Sequence, residues 1–435
     1  MATLPLIPLL LALPFPAESL YATDVDGDGV AELVAVGRAG QARRLAVVEI
    51  GETPRVRAVE LGARAAWWDA AHGVWLADGE GLRRVDEPGW RAALVTPLAG
   101  IGPALPERAP LVYDLDDDMR AELLVWASGR LHGYDHDGTP LGSAPLPARG
   151  ALSAERASGG TALGVSLQSP IFTVADADGD GLADVLSIDG DALVVHRTGP
   201  ACELGVETLR WPLPTTLEDP LFQERDAREY TTDVHLRDLD GDRRVDLLVH
   251  RVLSDGSLFG TEAEVRVWRG NGAGFGEGQT LPVEGGSASV YPVDLDGDGD
   301  LELVTLQVDL DAVGLARGLI DGRVRVKLLS WSAEAGRYGA PVALGEVRVP
   351  VLEGGASWNV FADLDGDGRN DLALYRDGEI SVWPGTPAGF PEPRWTALTE
   401  APVDELLVAD LDGDGASELI SWARGADRFS VWRTR

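Results

Sequence analysis

Apolar residues in this chain come in short runs cut by Gly, Asp and Pro, and nowhere sustain the period of an amphipathic helix. The runs repeat in a fixed order. A strand-like run such as APLVY, IFTVA or WNVFA enters an acidic loop, and a second run such as ELLVWA, DVLSID or DLALYR leaves it. A turn follows at Ser128-Gly129, Asp189-Gly190, Asp377-Gly378 or Arg424-Gly425, where glycine takes positive φ at little cost. The third run carries Trp near its end (Trp268, Trp331, Trp383, Trp432), and a glycine-rich bend at 270–276 or 385–389 leads to a fourth. Four short antiparallel strands per repeat predict an all-β fold, a β-propeller of four-stranded blades. Its blades fall at about 18–62, 63–106, 107–150, 165–214, 231–284, 285–352, 353–400 and 401–435, eight in all; the alternative is seven.

The acidic loop is the same nine-residue phrase each time, Asp at positions 1, 3 and 5 and Asp or Glu at 9. Its copies are Asp24, Asp26, Asp28, Glu32; Asp114, Asp116, Asp118, Glu122; Asp176, Asp178, Asp180, Asp184; and Asp238, Asp240, Asp242, Asp246. Three more follow: Asp294, Asp296, Asp298, Glu302; Asp363, Asp365, Asp367, Asp371; and Asp410, Asp412, Asp414, Glu418. Four carboxylates on one tight loop repel strongly unless a hard cation sits among them, and an oxygen-only donor set points to Ca2+ at about seven sites. A backbone carbonyl is expected to complete each set from position 7, at Val30, Arg120, Leu182, Arg244, Asp300, Arg369 and Ala416. An EF-hand needs a bidentate Glu at position 12 and a helix beyond it; here position 12 is Ala35, Val125, Ser187, Val249, Thr305, Leu374 or Ser421, inside a strand. Position 6 is Gly in five loops but Met119 and Arg243 in the second and fourth, which are expected to bind more weakly.

The spacing between the first two motifs, 90 residues, leaves room for a unit without an acidic loop. The runs AAWWDA, GVWLADG, GLRRVD and WRAALV supply it, keeping Asp69 where a motif would begin. The last unit stops after three strands. Residues 4–17, LPLIPLLLALPFPA, are expected to be a signal-peptide core, giving a mature domain of 18–435; the rival expectation is a strand that completes the last unit.

Charge sharpens the picture. The 435 residues hold 71 acids against 37 bases, net −34, and the seven motifs, at four acids each, hold 28 of those acids. The acidity is therefore mostly metal-site chemistry, and without a basic stripe nucleic acid is disfavoured as a partner. Cys202 is the sole cysteine, which rules out an internal disulfide, and no stretch after residue 17 is long and apolar enough for a membrane helix.

The stretch Asp-Leu-Asp-Gly-Asp-Gly-Arg-Asn-Asp-Leu at 363–372, with its copies, resembles the FG-GAP/VCBS repeats that build the calcium-binding propeller of integrin α-subunits. The glycine run at 270–276 looks like that family's glycine–aromatic element, whereas Gly-Ala-Pro survives only at 339–341. The resemblance implies a calcium-stabilised recognition or adhesion module, secreted, periplasmic or at the cell surface, with an extracellular protein or glycan as partner.

Four long connections, 148–169, 211–232, 254–262 and 309–322, are expected on the face away from calcium. Trp211, Phe222, Arg225, Arg228, Tyr230 and Phe259 are the candidate ligand patch there, the alternative being aromatics that cover strand ends. No catalytic residues are assigned. The six histidines stand singly and no nucleophile elbow, HExxH or P-loop is present. A polysaccharide lyase on a calcium propeller is the runner-up reading, a purely structural surface protein the third.

Overall fold

The strand that leaves each acidic loop sets the architecture. Glu32–Ala39, Glu122–Ala127, Asp371–Arg376 and Glu418–Trp422 are buried along nearly their whole length, with no in–out alternation. A strand buried on both faces needs a sheet packed against each of them. The computed structural model supplies those sheets. It describes the chain except residues 1–3, 6, 52, 62–64, 71–72, 79–80, 86–90, 93–106, 109, 119, 121, 128, 148, 158–159, 169–170, 216–228, 255–260, 284–285, 309–322, 335, 351–357, 377, 387–388, 391, 400–402 and 435. The described residues contain strands and no helix.

These strands sort into antiparallel meanders. The first unit is Ala17–Thr23, Glu32–Ala39, Ala42–Glu49 and Arg55–Leu61; the fifth is Glu229–Arg237, Asp246–Ser254, Thr261–Trp268 and Gln279–Leu281. The third and fourth units join at their outer strands, parallel, through Gly142 and Leu204. Fourth strands are the outermost, as the mostly exposed Arg55–Leu61 shows.

Each seam between neighbouring units has its own apolar core. Val36 and Leu45 meet Trp68 and Leu76 between the first and second, and Leu248 and Val267 meet Leu303 and Trp331 between the fifth and sixth. The last seam closes the circle, with Ile420 and Trp422 of the eighth unit against Leu33 and Ala35 of the first. Face-to-face sheets arranged in a closed circle are a β-propeller.

Residues 7–12 take the place given by the rival expectation, a strand that completes the last unit. Ile7–Ala12 pairs antiparallel with Arg428–Arg433, from Ile7 opposite Arg433 to Ala12 opposite Arg428, and is the fourth strand of the eighth unit. Leu4–Pro5 runs parallel to Trp395–Leu398 of the seventh. Leu11, Leu13, Phe15 and Ala17 are buried while Ala12, Pro14, Pro16 and Glu18 are exposed. That is the period-two alternation of a half-buried segment, which the apolar composition of the stretch conceals.

The long connections are also shorter than expected. Residues 149–168 form a two-stranded hairpin, Arg149–Ala157 with Gly160–Gln168, separate from the blades. Tyr230, Thr232, Ser254 and Glu262 all lie within ladders of the fifth unit, which extend to the pairs Glu229–Ser254 and Ser254–Thr261.

Candidate metal centre

Five of the seven acidic loops are wound by the same two devices. The position 1 carboxylate spans the loop: Asp24 Oδ1 accepts from Gly27 N–H at 2.6 Å and Oδ2 from Gly29 N–H at 2.9 Å. The same bracket recurs at Asp176, Asp294, Asp363 and Asp410. The position 9 acid then ties the loop shut by accepting from the position 2 N–H, as in Glu32 to Val25 at 2.7 Å and Glu418 to Leu411 at 2.8 Å. The backbone can turn this tightly because positions 4 and 6 take left-handed φ, +81° at Gly27 and +88° at Gly29.

Position 4 is a constraint that sequence reading overlooked. It is Gly in six loops, but in the loop 114–122 it is Asp117, at φ +60°. Arg243, expected to be strained at position 6, does sit at φ +64°; Met119 lies outside the described residues. Position 7 residues take part through their N–H, which donates to the position 5 carboxylate in all seven loops. Val30, Arg120, Leu182, Arg244, Asp300, Arg369 and Ala416 bond Asp28, Asp118, Asp180, Asp242, Asp298, Asp367 and Asp414 at 2.8–3.0 Å.

The winding gathers oxygens. Ligand-capable atoms of Asp24, Asp26 and Glu32 lie within 4.8 Å of one another, as do those of Asp114, Asp116 and Asp118, of Asp176, Asp178 and Asp180, and of Asp238, Asp240 and Asp246. Position 3 contributes the atom that lacks a protein partner: Oδ1 of Asp116, Asp240 and Asp365 is buried with no hydrogen bond. A buried carboxylate oxygen without a donor is costly, and a dication among hard oxygens removes that cost. The residues therefore fit calcium. Burial, then the neighbouring charges, pushes the Glu32 and Glu122 carboxyls up to about 7. Burial raises Asp184 to about 7, and Asp246 and Asp371 to about 6, although backbone N–H groups of Thr198, Gly270 and Gly385 pull the other way. A bound dication would hold these acids ionised.

The loops are strung together around one face. Ala183 N–H donates to Leu115 O at 2.8 Å, Leu301 N–H to Leu239 O at 3.2 Å, and Ser417 N–H to Asp363 O at 2.7 Å. The Asn370 side chain bonds Asp294 O, and Ala31 N–H reaches Asp410 O at 2.9 Å, linking the first loop to the last.

The second unit keeps Asp69 and discards the loop. Asp69, 3% exposed, accepts from Leu111 and Val112 N–H at 2.8 and 3.1 Å through Oδ2. Its Oδ1 faces Arg108 Nε at 3.3 Å, and the guanidinium lies 3.4 Å from the centroid of the Tyr21 ring. Here the cation is built in.

The ligand patch is not brought together. Trp211 is 4% exposed, in a seam core with Leu193, Leu236 and Leu247 and edge-on to Phe275 at 6.1 Å; it shares the inward face of its strand with Leu209, with exposed Arg210 between them. Tyr230 lies in the strand Glu229–Arg237 opposite Leu253, while Phe222, Arg225, Arg228 and Phe259 lie outside the described residues. His132, His196 and His250 are buried within strands. Sequence reading missed Arg197, Arg269 and Arg433, which reach the loops from the ends of third strands.

The FG-GAP-like repeat model matches residues 238–305 and 363–421. No protein with a curated description matches the chain. A lectin of Agrocybe aegerita, described as recognising non-reducing terminal N-acetylglucosamine, is 14% identical over 97% of this chain and 86% of its own, with a TM-score of 0.44. BBS1N, solved in complex with ARL6DN, is 11% identical over 98% and 96%, TM-score 0.39, and Hsv2 of Kluyveromyces lactis 10% over 96% and 97%, TM-score 0.36. Likenesses this distant carry no argument about a ligand. The matched stretches, 238–305 and 363–421, each hold acidic loops built alike and are FG-GAP-like repeats within an all-β propeller.

Proposed function

We propose that this protein is a calcium-binding propeller that serves as a recognition or adhesion module outside the cytoplasm, secreted, periplasmic or at the cell surface, for a protein or glycan partner. The observation that carries the reading is the chain of acidic loops, in which the position 3 oxygens Oδ1 of Asp116 and Asp365 are buried with no protein donor. Sites of this oxygen chemistry fill at the millimolar calcium found outside cells, where a site with a dissociation constant near 10⁻⁴ M adds roughly 1.4 kcal/mol of stability. The metal's task is structural: it holds each hairpin loop at the seam between two blades, and the rigid ring presents the connections on the opposite face.

The partner is proposed to meet residues 213–228 and 255–260, which hold Phe222, Arg225, Arg228 and Phe259. Arrays of extracellular proteins and glycans, probed with the full chain in calcium and again in EGTA, test the reading. Binding that needs calcium and is lost when 213–228 is shortened supports it. Binding indifferent to both changes, or turnover of an acidic polysaccharide to an unsaturated product, would replace it.

A further inference from the structure

One position per blade faces the closing acid of the acidic loop. In the fifth unit Leu247 pairs with Trp268, which places the next residue, Arg269, across from Asp246. The same register sets Arg197 across from Asp184 and Arg433 across from Glu418, because Val185 pairs with His196 and Leu419 with Trp432. Elsewhere the position holds an acid or a neutral residue: Glu49 in the first unit, Asp135 in the third, Ser332 in the sixth and Pro384 in the seventh.

The arginines use that position. Arg269 Nη1 bonds Asp246 Oδ2 at 2.6 Å and its Nε lies 3.4 Å from Asp240, so one guanidinium bridges positions 3 and 9 of the loop. Asp246 has no oxygen to spare. Oδ1 accepts from Gly270 N–H at 2.7 Å, and Oδ2 also accepts from Leu239 N–H at 3.1 Å. The sixth unit holds the guanidinium in place, with Tyr338 under it at 5.1 Å and Gly336 O at 3.4 Å. Arg269 is the least exposed of the three, at 19% against 29% for Arg197 and 44% for Arg433. Arg197 pairs with Asp178 and Asp180, and Arg433 with Asp412 and Glu418.

We propose that the residue opposite the closing acid decides which loops take calcium, and that Arg269 is the resident cation of the loop 238–246, which therefore stays metal-free. The inference rests on the calcium reading above and narrows it. A guanidinium fixed on two of the loop's carboxylates puts positive charge where a dication would otherwise sit, while Asp240 Oδ1 and Arg269 Nη2 keep no hydrogen bond, and a calcium ion could enter only by displacing the guanidinium. The loops 176–184 and 410–418, with more exposed arginines, fill after those that face Glu49, Ser332 or Pro384.

Bound calcium, counted by elemental analysis after equilibrium dialysis of the full chain, tests this. Asp240→Asn should leave the count unchanged, whereas Asp26→Asn, at the same loop position in the first unit, should lower it by one. Arg269→Met should raise it by one. Loss of an ion in Asp240→Asn overturns the proposal, and that comparison decides even if Arg269→Met does not fold. No loss in Asp26→Asn, with no calcium on the wild type, would instead sink the calcium reading and this inference with it.

Discussion

The first and second units pose one problem, a buried carboxylate, and surround it with different groups. Both bury a carboxylate beside the link between their first and second strands, Glu32 at the start of the second strand at 6% exposure and Asp69 near the end of the first at 3%, against a seam packed with Val34, Val36, Trp68 and Leu76. The first unit surrounds its acid with three more, and their mutual repulsion calls for a dication. The second has a single acid, which one guanidinium and two backbone N–H groups satisfy. A blade thus needs a neutralised carboxylate at this corner, not calcium as such. The fifth unit stands between them, with a full loop and an arginine in it.

Calcium removal gives the largest break in that equivalence. Stripping several sites at roughly 1.4 kcal/mol each takes away on the order of 5 kcal/mol, comparable with the whole stability of a domain. Scanning calorimetry in 1 mM calcium and then in excess EGTA, as chosen conditions, should show a large fall in melting temperature. No fall, together with no alkaline-earth metal in the purified protein, would remove calcium from the account.

The second unit should respond in the opposite manner. Asp69→Ala leaves Arg108 without its counter-ion and two buried N–H groups without an acceptor, a loss of about 3 kcal/mol. That loss should be the same in calcium and in EGTA. Denaturant melts in both conditions check it, and a loss confined to one would mean that Asp69 works through a metal after all.

How much of this could be read beforehand follows from where the partners lie in the sequence. The acidic loops are legible because all four carboxylates fall within nine residues, and Asp69 betrays the second unit by its place at the end of a strand-like run. The position 4 glycines were equally visible, and Asp117 marks the exception. Arg108 is 39 residues beyond Asp69, a distance over which no local pattern couples a cation to an acid. The arginines after His196, Trp268 and Trp432 become meaningful only once strand register sets them across from the closing acids. Trp211 misled because an aromatic at a strand end reads equally as an exposed anchor or a seam residue; the Leu193–Trp211 pair settles it inward.

A third contrast is one of sign. Without metal, burial pushes the closing acids above the ordinary carboxylate range, Glu32, Glu122 and Asp184 up to about 7 and Asp246 and Asp371 up to about 6. The folded state then binds more protons than the unfolded one, so stability in EGTA should fall as pH rises from about 4 to about 7. With calcium the acids are held ionised, and the same pH change should raise stability because protons no longer compete for the ligands. Melting temperatures on a pH series with and without calcium should therefore slope in opposite directions, and parallel slopes would contradict the ligand assignment.

The smallest effect separates strain from metal binding. Asp117 and Arg243 occupy left-handed backbone that glycine adopts freely, at about 1 kcal/mol each. Arg243→Gly should recover that amount in EGTA and calcium alike, since Arg269 already neutralises its loop. Asp117→Gly should stabilise in EGTA by a similar amount, because the turn is strained whether or not the loop holds an ion. Its calcium affinity should rise only to the extent that the metal draws the turn tighter, at most about fivefold for the same ~1 kcal/mol. Isothermal titration of the two variants reads the difference directly: an affinity gain in Arg243→Gly would show that its loop does bind metal.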